Sequence, residues 1–139
     1  MAADRRKLVV LVVEDDADHR TITQEIAEGL DLVVVVAPDG LEAQERLVLG
    51  PAPDVIVLDL LLPRMNGWEL LDWVSKRGLL SVVPVIVLSG SPECDEVPRR
   101  FPTTFECLRK PVPVDMLRAA LERACREARP DRGSSLAAP

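Results

Sequence analysis

Several short apolar segments of this 139-residue chain run directly into residues capable of chemistry. Segment 8–13 leads into Glu14-Asp15-Asp16, segment 55–58 into Asp59, and segment 82–88 into Ser89. A weaker segment, 105–108, is followed by Arg109 and then by Lys110-Pro111. If these segments lie side by side in one direction, their acids, hydroxyl and ammonium gather at one edge. Carboxylates gathered in this way repel one another and raise each other's pKa unless a cation is present. Mg²⁺ resolves that conflict: it takes oxygen ligands octahedrally, uses few carboxylates and leaves room for water and a phosphate oxygen. A lysine and a hydroxyl on the opposite side would complete a site for a phosphoryl group, each meeting one of its oxygens.

The elements that must position these groups are legible as two alternating patterns. Segments 8–13, 32–36, 55–58 and 82–88 are uninterrupted runs rich in Val, Leu and Ile, with 105–108 as a fifth candidate. Apolar runs of this length suit parallel strands covered on both faces by helices. Between them lie helical spacings. Asp16 or Asp18 can cap a helix running to about Gly29, with Ile22, Ile26 and Leu30 on one face. Asp39-Gly40 turns into a helix over 41–49, and Asn66-Gly67 precedes one over 68–77 that Gly78 ends. Pro113 stands near the start of a last helix carrying Met116, Leu117, Leu121 and Ala124 or Cys125. Pro92, Pro98 and Pro102 leave room only for a short, bent helix over 93–100.

The resulting βαβαβαβαβα order predicts a doubly wound α/β domain with helices on both faces of a five-stranded parallel sheet. The flavodoxin-like strand order 2-1-3-4-5 is the expected arrangement, with function at the carboxyl ends of the strands. One domain is expected over 7–128, with flexible termini over 1–6 and 129–139, the latter reading as a frayed tail. The net charge of −6 argues against a nucleic-acid-binding face. The apolar run 8–13 is too short to span a membrane or serve as a leader, so a cytoplasmic location without an anchor is expected. Cys94, Cys107 and Cys125 form no CxxC pair, and the lone His19 is remote from them in sequence, so reduced thiols rather than zinc ligands are expected.

The segments VVLVVEDD (9–16), VIVLDLLLPRMNGWELL (55–71), VPVIVLSG (83–90) and LRKP (108–111) resemble the receiver domains of bacterial two-component systems, over about residues 7–128. Each motif alone is weak; the ordered set of acid pair, Asp, Ser and Lys-Pro is specific. The resemblance implies a single-domain response regulator of the chemotaxis-regulator type that stands alone. Asp59 is then the phosphoacceptor, attacking the phosphorus of a phosphohistidine on a sensor histidine kinase or phosphotransfer protein. Asp15 and Asp59 are implied as direct Mg²⁺ ligands, the Leu61 backbone carbonyl as a third, and Glu14 as a ligand through water, with Mn²⁺ able to substitute. Ser89 is implied to bind the phosphoryl group and to shift toward it on activation, and Lys110 to pair with it. A cis peptide bond is implied before Pro111, and Pro63 and Gly67 fit the loop after the acceptor. The protein is then no enzyme in the turnover sense, but a phosphoacceptor that assists its own phosphorylation and dephosphorylation. Its output is altered binding to an unknown downstream protein, as a monomer or weak dimer.

Bland alternatives stand beside each residue. Asp59 alone would serve as a helix cap, Lys110 alone as a solvated surface charge and Ser89 alone as an ordinary strand-end serine; only their company promotes them. Asp16 reads as a cap or loop acid, and His19 as an exposed helical residue near the mouth of the site. Trp68 is expected to pack, and Trp73 to be partly exposed.

Two departures from the family pattern stand out. Cys107 occupies the position, three before the lysine, where a switch aromatic is usual; Phe105, of the same strand parity, is the candidate substitute. The proline-broken stretch 92–102 alters the usual signalling face. Leu61 offers no side-chain group to orient a water, which implies slow loss of the phosphoryl group; Ser91 lies at the second such position. The competing functions are a pseudo-receiver with phosphate-independent output and an enzyme of the same fold. Three acids where a flavin-binding loop would be needed, and the absence of dinucleotide and Walker fingerprints, count against the enzyme. A metal-dependent phosphohydrolase would lack a substrate pocket.

Overall fold

The computed structural model describes residues 7–90 and 92–128. The tails expected over 1–6 and 129–139 lie outside those residues, as does Ser91.

Five parallel strands form one sheet in the order β2-β1-β3-β4-β5, as the alternation of patterns predicts. They are β1 (Val9–Val13), β2 (Val33–Ala37), β3 (Val55–Asp59), β4 (Val85–Ser89) and β5 (Glu106–Arg109). The helices are α1 (Ala17–Gly29), α2 (Gly40–Leu49), α3 (Gly67–Lys76), α4 (Glu93–Arg100) and α5 (Val114–Glu127). β3 and β4 are buried at every position, which is why their sequences show no polar alternation.

Successive side chains of a strand point to opposite faces, and the core divides accordingly. Val10, Val12, Val57, Ile86 and Leu88 pack against Ile26 and Ala27 of α1 and Leu117 and Leu121 of α5. Leu11, Val13, Ile56, Leu58, Val85 and Val87 pack against Ala43 of α2, Leu70, Leu71 and Val74 of α3 and Val97 of α4.

Local signals set the element ends. The Asp16 side chain accepts from the backbone N–H groups of Asp18 and His19 and caps α1. Asp39 caps α2 through the Glu42 N–H. Asn66 and Glu69 form a reciprocal capping box on α3. Gly78, at φ 76°, reverses the chain after α3.

β4 starts at Val85 rather than at 82, because the N–H groups of Val82 and Val83 bond to the Leu79 carbonyl and close a 3₁₀ turn over Leu79–Ser81. β2 starts at Val33 because the Leu32 N–H is spent on the Ala27 carbonyl at the end of α1. α4 spans Glu93–Arg100 as expected, with Pro98 inside it; its first-turn acids and last-turn arginines suit the helix dipole.

Two helix faces need correction. Ile22 and Met116 were expected on buried stripes but are 45% and 50% exposed. The buried faces of the two helices include smaller groups instead: Thr23 and Ala27 on α1, Ala120 and Ala124 on α5. Small side chains let two helices and a sheet approach closely, so bulk was a poor guide to the buried face.

Candidate functional site

β1 and β3 are neighbours in the sheet, and their carboxyl ends carry the acids to one point. One carboxylate oxygen from each of Glu14, Asp15 and Asp59 lies within 4.8 Å of the others. Glu14 and Asp59 are only 3% and 2% exposed, whereas Asp15 opens to solvent. Asp59 Oδ2 accepts a hydrogen bond from Lys110 Nζ at 2.8 Å, and Asp59 Oδ1 accepts one from the Leu61 backbone N–H at 3.0 Å. The Asp16 N–H donates to Glu14 Oε2 at 3.2 Å. Glu14, Asp15, Asp59 and Lys110 thus lie together, whereas Asp16 turns away to cap α1.

Burial is the main cause that pushes the Glu14 carboxyl up to about 7; a shared hydrogen bond with Asp59 and the charge of Asp59 add to it. The Asp16 N–H and the Lys110 ammonium pull the other way without prevailing. This is the conflict expected of crowded acids, and one ammonium does not resolve it. Three converging oxygen donors, two of them buried, fit a hard divalent cation such as Mg²⁺.

β4 supplies Ser89 and β5 leads to Lys110. The two are joined by the backbone, the Lys110 N–H donating to the Ser89 carbonyl at 2.8 Å. Ser89 is buried, and its hydroxyl donates to the Gly90 carbonyl at 3.1 Å. The Lys110-Pro111 bond is cis, as expected. His19 is exposed on α1 and shares a cleft with Glu14, Lys110 and Pro111, at the mouth of the site. The Leu61 side chain is 74% exposed beside Asp59.

The loop after Asp59 is fixed from two directions. A Cβ on Gly67 would collide with the Leu60 Cα and the Asp59 carbonyl oxygen, and a Cβ on Gly40 with the backbone of Met65. Only glycine lets α3 and α2 start this close to the loop. Arg64, at φ 64°, reaches from the loop to Asp39, with Nη2 at 2.8 Å and Nε at 3.0 Å from Oδ2. The Glu42 N–H and Arg64 together hold the Asp39 carboxyl below its ordinary value. Sequence reasoning missed Arg64, and it missed Arg20, whose Nη1 donates to the backbone carbonyls of Glu14 at 2.9 Å and Asp15 at 3.4 Å. The available signal for Arg20 was its place one helical turn beyond the acid triplet.

Cys107 lies on β5 three residues before Lys110 and packs against the α2–α4 side of the core. Phe105 packs against the α1–α5 side. The shared parity expected for the two therefore fails: Phe105 precedes the strand, its N–H bonds to the Val85 carbonyl, and alternation begins only at Glu106. Trp68 packs against the core and faces Phe101 at 6.4 Å between ring centroids. Trp73 is half-buried beneath the Arg77 guanidinium, 4.3 Å from its ring centroid.

The fold that assembles this site is shared with known proteins. Over 104 residues the chain is 34% identical to the Regulator of RpoS of Escherichia coli strain K12, a match covering 74% of this chain and 30% of that protein. The chain thus spans less than a third of the length of this curated relative. The receiver domain of the Francisella response regulator 1452 superposes with a TM-score of 0.74 at 28% identity, covering 88% of this chain and all of that one. The receiver domain of a putative LuxO repressor protein from Vibrio parahaemolyticus gives 0.81 at 21% identity over 96% and 99% of the two chains, a likeness of fold. Residues 10–122 match the family described as the response regulator receiver domain, and the chain belongs to that family of two-component signalling domains.

Proposed function

We propose that Asp59 is the phosphoacceptor of a phosphorylation-dependent switch, and that Lys110 and Ser89 bind the transferred group. The observation that carries this reading is the convergence of the Glu14, Asp15 and Asp59 oxygens within 4.8 Å, with Lys110 Nζ 2.8 Å from Asp59. An Asp59 oxygen forms a bond to phosphorus as the bond to the donor's histidine nitrogen breaks. Lys110 then neutralises one phosphoryl oxygen, and the Ser89 hydroxyl turns from Gly90 to donate to another. Asp15, Asp59 and the Leu61 carbonyl would hold Mg²⁺ directly and Glu14 would hold it through water; Mn²⁺ suits the same donors. When bound, the cation supplies the positive charge that offsets the crowded carboxylates and the phosphoryl oxygens.

In this reading the donor is a sensor histidine kinase or a histidine phosphotransfer protein. Asp59 is consumed once per transfer rather than turned over, and the site assists both gain and loss of the group. The output is a change in binding to another protein, in the cytoplasm, by a domain over 7–128 that acts as a monomer or weak dimer without contacting nucleic acid. Among the described residues no helix is long and apolar enough to cross a membrane. The test is incubation with acetyl phosphate and Mg²⁺, followed by intact mass measurement. A gain of one phosphoryl group that Asp59→Asn abolishes supports the proposal; a gain persisting in Asp59→Asn overturns it. Partner binding unchanged by the gain would instead favour an interaction module whose output ignores phosphate.

A further inference from the structure

α4 and β5 approach each other through side chains at two successive points. Arg109 Nη2 donates to Asp95 Oδ1 at 2.9 Å. One residue earlier on α4 and two earlier on β5 stand Cys94, on the buried face of α4 with Val97, and Cys107, which packs against the core cluster that holds Val97. Both are thiols; Cys94 is buried at 8% exposure and Cys107 is half-buried. The tie at Asp95 and Arg109 makes their proximity a property of how the helix sits on the strand. Their position also matters. The Cys94 N–H bonds to the Gly90 carbonyl at 3.1 Å, directly after Ser89, and Cys107 is three residues before Lys110.

We propose that Cys94 and Cys107 are a redox-active dithiol, oxidised by a low-molecular-weight disulfide to a reversible intramolecular cross-link that clamps α4 to β5. The more accessible Cys107 thiolate attacks one sulfur of the small disulfide. The S–S bond of that reagent breaks, and the departing thiolate takes up the proton Cys107 released. Cys94 then loses its proton and attacks the Cys107 sulfur, expelling the second small thiolate, which takes up that proton. Two cysteine thiols are oxidised by two electrons, and one small disulfide is reduced to two thiols. Burial, with the Cys94 contact second, pushes the Cys107 thiol up from its ordinary value, so the first attack is slow at neutral pH and faster in alkali. The cross-link closes a loop containing Pro98 and Pro102 and fixes the first turn of α4 on β5. It does not depend on Asp59 accepting a phosphoryl group.

The test uses the full chain, incubated with oxidised glutathione at neutral and at alkaline pH. The expected product is lighter by two hydrogens and yields one linked peptide pair carrying residues 94 and 107, with Cys125 still open to alkylation. Amide exchange across Glu93–Arg100 should slow in that product and recover with dithiothreitol. Cys94→Ala should stop at a glutathione adduct on Cys107. A native chain that accumulates only glutathione adducts, links between chains, a pair involving Cys125, or no reaction in alkali would each overturn the proposal.

Discussion

The ammonium of Lys110 and the carboxylate of Asp59 meet at 2.8 Å, although the lysine is 29% exposed in its side chain and the aspartate only 3%. The pair is therefore lopsided. Lys110 has solvent beside it to move into, whereas Asp59 has none, so Lys110 is the member able to follow a new oxygen without disturbing the core.

Replacing Lys110 with Gln should destabilise the metal-free protein by about 1–2 kcal/mol, between the values for an exposed and a fully buried pair because the lysine is partly solvated. Urea unfolding in chelator measures this. Saturating Mg²⁺ should shrink the deficit, since a cation among the acids replaces the lost ammonium charge. An equal deficit with and without Mg²⁺ would show that Lys110 acts through packing alone.

Glu14 gives the metal-free protein an unusual pH slope. Its carboxyl rises from 4.5 to about 7 on folding, so between those values the folded chain holds a proton that the unfolded chain has released. Stability then falls as pH rises through that window, opposite to a salt-bridged acid. Thermal midpoints in chelator should decline from about pH 5 to 7, inside the window of the Glu14 shift, and Glu14→Gln should remove this contribution. A midpoint that climbs over this range in the native chain and in Glu14→Gln alike would contradict the assignment.

Gly67→Ala should cost about 1–3 kcal/mol, as expected when a methyl group is forced into a filled space. The strain falls on Leu60 and the Asp59 carbonyl, so phosphorylation by acetyl phosphate should also slow. Gly29→Ala is the control: nothing lies within 4 Å of its added Cβ, and removing a helical glycine should stabilise by roughly 0.5–1 kcal/mol. Equal effects of the two substitutions would mean that the close approach at Gly67 is not limiting.

The parts of the fold that were legible in sequence are those where composition and position agree. Runs rich in Val, Leu and Ile marked β3 and β4 because those strands are covered on both faces, and capping residues marked the helix starts. The juxtaposition of the acids with Lys110 followed from strand order alone. What stayed hidden depends on contacts between distant segments. Arg64 reaches Asp39 from a residue with positive φ, Arg20 turns back to the carbonyls of its own loop, and Thr23 replaces Ile22 on the buried face of α1. None of these leaves a periodic trace. The approach of Cys94 to Cys107 is hidden for the same reason, since one stands in the first turn of α4 and the other on β5.

The two outer strands of the sheet are guarded unequally. β5 carries Glu106 and Arg109, each in an ion pair, with Arg123 on Glu106 at 2.7 Å and Asp95 on Arg109 at 2.9 Å. β2 reads Val-Val-Val-Val-Ala, bears no charge, and leaves Val33 43% exposed. An uncharged outer strand rich in β-branched residues is the place where two molecules can zip edge to edge during concentration or refolding. The acidity of the chain thereby acquires a colloidal role: the net charge of −6 keeps copies apart where the β2 edge itself does not. Self-association should accordingly begin at β2 when salt screens that repulsion, and a lysine at Val33 would be the economical gatekeeper.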